Sequence, residues 1–426
     1  MKCNYACQSS THLVARRQLL GGMTALGLGG AFGSLSALAH PASAAQLAKD
    51  QKRVLVIYMS GGLSQLESWD PKPKTDTGGP FRAIPTSVPG LHISELLPQT
   101  ATLMDKLAVI RSINTRNNDH GVGSYQMTRG RNREPSTDYP HLGAIAAKAL
   151  EAPSLSLPGH IRIPGGGRGG DSAYLGPRYS SIGVDGKPPQ NSARPEAVSE
   201  RGDQRRNTFR KQVNERSKLK RRSAETDIYT YSYEQAQELM KQREVFDITK
   251  EPQNYHDRYG SSGFGQHCLM ARRLMENGVT CVQVSHSNYD THNENFNFHL
   301  EQLGEFDQSF SALIGDLSDR GMMESTLVVV MSEFGRTPRI NQYYGRDHWG
   351  KSWSICLGGG KVHPGAVIGK TSDNGTEVTD REVDHGDLFH TYLSAVGLDS
   401  TATFNIDGRE LPLANPTGST IDELLT

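Results

Sequence analysis

The sequence predicts an α/β fold built on a mainly parallel sheet. Apolar runs of strand length alternate with longer stretches whose apolar residues recur every three or four positions. Each of these runs also empties into a polar loop, the place where parallel sheets put their chemistry.

The first run is residues 54–59, continuously apolar as a strand covered on both faces must be, and it ends in Ser60-Gly61-Gly62. The second, residues 107–113, is followed by a polar loop and His120. The third, residues 279–285, has Val282 and Val284 on one face and leads to Asp290-Thr291-His292. The fourth, residues 327–331, leads to Ser332-Glu333-Phe334-Gly335-Arg336. Between the runs, residues 142–152, 234–243, 265–277 and 296–320 carry helical spacing. Residues 153–232 break this rhythm: Pro and Gly crowd the early part, and residues 201–222 hold ten Lys and Arg against two acids. The segment is expected to be a partly irregular, cap-like insertion, and its basic run a solvated helix face.

The chain begins with an address. Arg16-Arg17 precedes a weakly apolar, Gly-rich run too poor to span a membrane stably, and small residues at Ala42, Ser43, Ala44 and Ala45 suit a signal peptidase. Residues 1–45 are therefore expected to be a twin-arginine signal peptide, handled by the twin-arginine export machinery, and 46–426 a periplasmic or secreted domain. Loss of Lys2, Arg16 and Arg17 from a balance of 46 basic and 46 acidic residues leaves a slightly acidic protein, which argues against nucleic acid as partner. Cys3 and Cys7 leave with the signal. Cys268, Cys281 and Cys356 make an odd set without Cys-x-x-Cys spacing, best read as buried free thiols.

Three short motifs carry the chemistry. Asp290 and His292, two residues apart at a strand end, offer a carboxylate and an imidazole to one divalent cation, the mixture zinc accepts. Glu333 follows five apolar residues, where an ionised carboxylate needs Arg336 or a metal as partner. Asp347-His348, in a loop flanked by Gly345 and Gly350, adds either ligands or groups that orient them. His299 is expected to face solvent, and Asp384, before the apolar stretch from Leu388, to cap a helix.

Taken together, Ser60-Gly61-Gly62-Leu63-Ser64-Gln65, Trp69-Asp70-Pro71-Lys72-Pro73, Asp290-Thr291-His292, Ser332-Glu333-Phe334-Gly335-Arg336-Thr337 and Gly345-Arg346-Asp347-His348-Trp349 resemble the domain-of-unknown-function 1501 family, over residues 53–398. That family is placed in the alkaline phosphatase and sulfatase superfamily. The resemblance implies an alkaline-phosphatase-like three-layer sandwich and a metal site of Asp290, His292, Glu333, Asp347 and His348, with zinc, calcium and magnesium all open. It implies hydrolysis of an anionic phosphate or sulfate ester, a sulfated or phosphorylated glycan among the options, with Arg336 or Arg346 steadying the anion. Two departures from the superfamily pattern stand out. His120 takes the place of the sulfatase Cys or Ser, and Ser60-Gly61-Gly62 replaces an expected Asp, which Glu67 or Asp70 would have to supply. The nucleophile is open among Ser60, Ser64, His120, Ser124 and a metal-bound water. The alternative is a secreted binding or scaffold protein that keeps the fold without catalysis.

Overall fold

The structure, a computed structural model, describes residues 51–150, 157–165, 170–188, 193–218, 223–406 and 408–426. The signal peptide expected at residues 1–45 lies outside them. An eight-stranded sheet forms the middle layer. Its strands are β1 (Arg53–Met59), β2 (Leu107–Ile113), β3 (His160–Ile163), β4 (Ile182–Gly183), β5 (Cys281–His286), β6 (Thr326–Met331), β7 (Trp353–Gly358) and β8 (Val367–Ile368). Across the sheet they run β8-β2-β7-β6-β1-β5-β3-β4, and β7 alone is antiparallel to its neighbours.

Alternation along the strands sorts the core into two halves. Leu55, Ile57, Val282, Val284, Val328 and Val330 face helices α5 (Gly263–Glu276) and α6 (Asn295–Asp319). Val54, Val56, Leu327, Val329, Ile355 and Leu357 face α1 (His120–Arg129), α2 (Leu142–Leu150) and α7 (His385–Ala395). Every residue of β1 and β6 is buried. That explains their unbroken apolar sequence, since each side chain buried in this way contributes about 1.5–3 kcal/mol.

Register decides where the chemistry lands. Tyr58 pairs with Ser285 on one side and Met331 on the other, so β5, β1 and β6 end together. Because β2 and β6 are both antiparallel to β7, the loop carrying His120 leaves from the same edge.

Within the segment expected to be an insertion, two short stretches join the sheet. His160–Ile163 pairs with β5, and Ile182–Gly183 extends the sheet beyond it. Strands this short, separated by Pro and Gly, carry too little periodicity to be read from sequence. The helices beyond, α3 (Glu200–Lys218) and α4 (Ser223–Lys241), pack on each other, with Arg201, Arg205, Arg206, Lys211 and Arg216 of α3 exposed. Cys268, Cys281 and Cys356 are buried and free. No helix among the described residues is long and apolar enough to cross a membrane.

Asp384 caps α7: its Oδ1 accepts from the Gly386 and Asp387 N–H groups at 2.7 and 3.0 Å, and Asp387 reaches back to complete a capping box. Asp384→Ala should therefore cost about 1 kcal/mol in urea unfolding and leave bound metal unchanged. Loss of metal with intact stability would mean that Asp384 is a ligand.

Candidate metal centre

Two loops at the sheet edge are knitted first. Ser332, just past β6, donates its hydroxyl to Met59 O at 2.5 Å and accepts from the Gly62 and Leu63 N–H groups, both at 3.1 Å. Gly61 donates its N–H to Glu333 Oε1 at 2.8 Å. Gly61 has φ +117° and lies so close to the next loop that a Cβ would fall 2.4 Å from Asp290 N, so only glycine fits. Gly345 is equally constrained, since its Cβ would fall 1.9 Å from His292 O.

Asp290 is the meeting point. Its Oδ1 lies 2.6 Å from Arg336 Nη2, 3.0 Å from His348 Nε2 and 3.1 Å from His292 Nε2, and its Oδ2 lies 3.3 Å from His120 Nε2. Ligand atoms of His120, Asp290 and His348 all fall within 4.8 Å of one another. Each imidazole is fixed from behind through Nδ1: His120 by Glu333 Oε1 at 2.7 Å, His292 by Asp347 Oδ1 at 2.7 Å, and His348 by the Asn118 carbonyl at 2.8 Å. A carbonyl can only accept, so His348 Nδ1 carries hydrogen and its Nε2 lone pair points at the cluster when the ring is neutral. The two carboxylates favour the same tautomer in His120 and His292. Phe334 stacks on His348, centroids 4.4 Å apart, and sits 4.8 Å from His120, forming an apolar wall.

Electrostatics follow this geometry. Burial opposes ionisation of Asp290, but the hydrogen bond and the charge of Arg336 hold its carboxyl well below the usual range. Under the cluster, burial and then the Glu333 charge push the Tyr58 phenol well above its ordinary value, so it stays protonated.

Residues 51–425 match the family described as "Protein of unknown function (DUF1501)". The chain belongs to this family. No curated protein matches the DUF1501 chain. Among solved structures, the C-terminal periplasmic domain of EcEptC from Escherichia coli, in complex with zinc, has a TM-score of 0.39 at 11% identity, over 86% of this chain and 87% of its own. The PsFucS1 sulfatase from Pseudoalteromonas sp. has a TM-score of 0.41 at 15% identity, over 90% and 75%. A protein in the alkaline phosphatase superfamily from Vibrio parahaemolyticus has a TM-score of 0.38 at 10% identity, over 85% and 78%. Likeness at this level leaves the chemistry of the DUF1501 chain to be argued from its own residues.

The structure gathers His120, Asp290, His292 and His348 around one point and sets Glu333 and Asp347 behind two of the rings. Other residues expected at the site are placed differently. Ser64 is fully buried. Arg346 is fully buried with all five donors used, on both Glu67 oxygens and on the Thr77, Thr337 and Pro338 carbonyls, and has none for a substrate anion. Arg336, also fully buried, donates to the Gly61, Gly62 and Arg346 carbonyls and to Asp290 rather than Glu333. Glu67 and Asp70 are likewise engaged elsewhere, Asp70 with Lys72 and Thr371. His299 is buried rather than solvated: Nδ1 donates to Asn295 O, Nε2 accepts from Ser64 N–H, and burial pushes its pKa down to about 4.

Sequence reasoning missed Asn118 and Arg339. Asn118 also accepts Gly350 N–H on its Oδ1 at 2.7 Å, which ties the His120 loop to the His348 loop. A polar run before a capped helix was the only sign of it.

Arg346→Met would leave Glu67 buried beside no cation. It should cost about 3–5 kcal/mol in equilibrium unfolding. A cost below about 1 kcal/mol, with turnover alone lost, would return Arg346 to the substrate.

Proposed function

We propose that this protein is a metal-dependent hydrolase of phosphate or sulfate esters. One observation carries the reading: three imidazole Nε2 atoms converge on the Asp290 carboxylate, each ring held by an acceptor behind it. The donor set fits a cation. His292 Nε2 and His348 Nε2 stand 3.0 Å apart, where two neutral rings would oppose their lone pairs unless a proton or a metal lies between them. Asp290 Oδ1, His292 Nε2 and His348 Nε2 lie 3.0–3.1 Å from one another, separations that one ion bound at about 2.0–2.1 Å could share. Imidazole-rich sets favour zinc over calcium or magnesium, which prefer oxygen.

His120, Asp290, His292 and His348 are the residues that would hold the ion. When bound, such an ion polarises an ester oxygen and lowers the pKa of water at the site. The chain does the positioning. Glu333, Asp347 and the Asn118 carbonyl hold the rings in the metal-accepting tautomer, and Arg336 holds Asp290 in place while keeping it ionised. With Ser64 buried, and Ser60 and Ser124 without hydrogen bonds to the cluster, water is the favoured attacking group.

The reading also takes residues 46–426 as one exported domain. Its support is Arg16-Arg17 and the small residues before Gln46. The partner is an anionic ester.

His348→Ala and Asp290→Asn should each remove bound metal and abolish turnover of aryl phosphate or sulfate esters. Glu333→Gln should weaken metal binding by about 10–100-fold while leaving the fold intact. Elemental analysis beside the ester assay checks both. Full metal retention in His348→Ala and Asp290→Asn would sink the proposal, and metal without turnover would favour the binding-protein alternative.

A further inference from the structure

Beside the cluster lies a cavity of about 540 Å³, within the range of small-ligand sites. His292 and Asp347 form one wall, and the loop 337–344 forms the other. We infer that this loop is a saccharide subsite, holding the sugar of an anionic ester with its ring on Tyr343 and its charge on Arg339. This inference rests on the proposed hydrolase for its placement beside the reacting group.

The loop is rigid, so its exposed rings are not the product of a floppy surface. Asn341 locks it: its Oδ1 accepts from the Tyr343 and Gly345 N–H groups at 2.9 and 3.0 Å, and its Nδ2 donates to His292 O at 2.8 Å. Its backbone N–H donates to Gly345 O at 2.9 Å, and the Tyr343 and Tyr344 carbonyls accept from Glu294 and Asn295. Tyr344 is held at φ +57°, a conformation unfavourable for a side chain of its size. On this fixed backbone Tyr343 is 62% and Tyr344 68% exposed. A loop whose backbone is set before the ligand arrives lowers the ordering cost of binding.

The groups left free in the lining define the ligand. Arg339 is exposed and, among the described residues, makes no ion pair or side-chain hydrogen bond. Gln342 offers an unengaged amide. One aromatic face, an unpaired guanidinium and an amide match a sugar, which has an apolar C–H face and a rim of hydroxyls, when it also carries a negative group. A nucleobase would want a flat ring on both faces, and besides Tyr343 the lining holds only the His292 imidazole, whose two nitrogens are already engaged by Asp347, Asp290 and His348.

The test is saturation-transfer NMR and calorimetry on the full mature chain with galactose 6-sulfate, uncharged methyl galactoside and adenosine monophosphate. Sugar ring protons should receive saturation, and Tyr343→Ala should weaken both sugars by about five- to tenfold. Arg339→Ala should weaken the sulfated sugar and leave methyl galactoside unchanged. Both positions are exposed, so the variants should fold. Running the titrations on metal-stripped protein separates the two claims: sugar contacts that persist there support the subsite whether or not the hydrolase reading holds. No transfer to either sugar, no effect of Tyr343→Ala, or a Tyr343-dependent preference for adenosine monophosphate would overturn the inference.

Discussion

Arg336 is the constraint on which the site depends. Its guanidinium, fully buried, donates to the Gly61 and Gly62 carbonyls after β1, to the Arg346 carbonyl before the Asp347-His348 pair, and to Asp290 after β5. A buried cation with four of its five donors satisfied is tolerable. The same cation with any of these loops displaced is not. The chain segments that carry the cluster therefore have one mutual arrangement, and Asp290 stays ionised at its centre. Arg346 repeats the device one layer out, tying Glu67 to the loop that begins at Thr337. Two arginines that look like anion receptors on paper act here as internal clamps.

This division of labour leaves the cleft with few free charges. Each imidazole is oriented by an acceptor behind it, and Phe334 covers one side of His120 and His348. What remains is one carboxylate facing ring nitrogens, with Arg339 across the adjoining cavity from His292 and Asp347. Such a place suits a cation first and an anion second.

The sheet and the ends of its strands were legible because β1 and β6 are buried on both faces and so are apolar over residues 54–59 and 327–331, while β5 shows its strand character in the alternation of Val282 and Val284. Asp290, His292, Glu333, Asp347 and His348 could be placed because they follow those strands or sit between glycines. His120 could be placed because it follows β2. The difference between ligand and support was not legible, since Glu333 and His120 differ only in which neighbour each touches. Burial of arginine was not legible either: the same letter stands for Arg336 under the loops and Arg339 in the open, three residues apart. Strand β3 escaped notice because its partner β5 lies about a hundred residues downstream and local pattern carries no trace of such a partner, and β4, which pairs with β3, is only two residues long.

The central claim is that imidazole nitrogens and one carboxylate hold a metal ion at Asp290. X-ray absorption at the zinc edge of the reconstituted protein tests it most directly. The account predicts a first shell of nitrogen and oxygen at about 2.0–2.1 Å with the outer-shell scattering of at least two imidazoles. An all-oxygen shell, or a spectrum unchanged in His348→Ala, would contradict it.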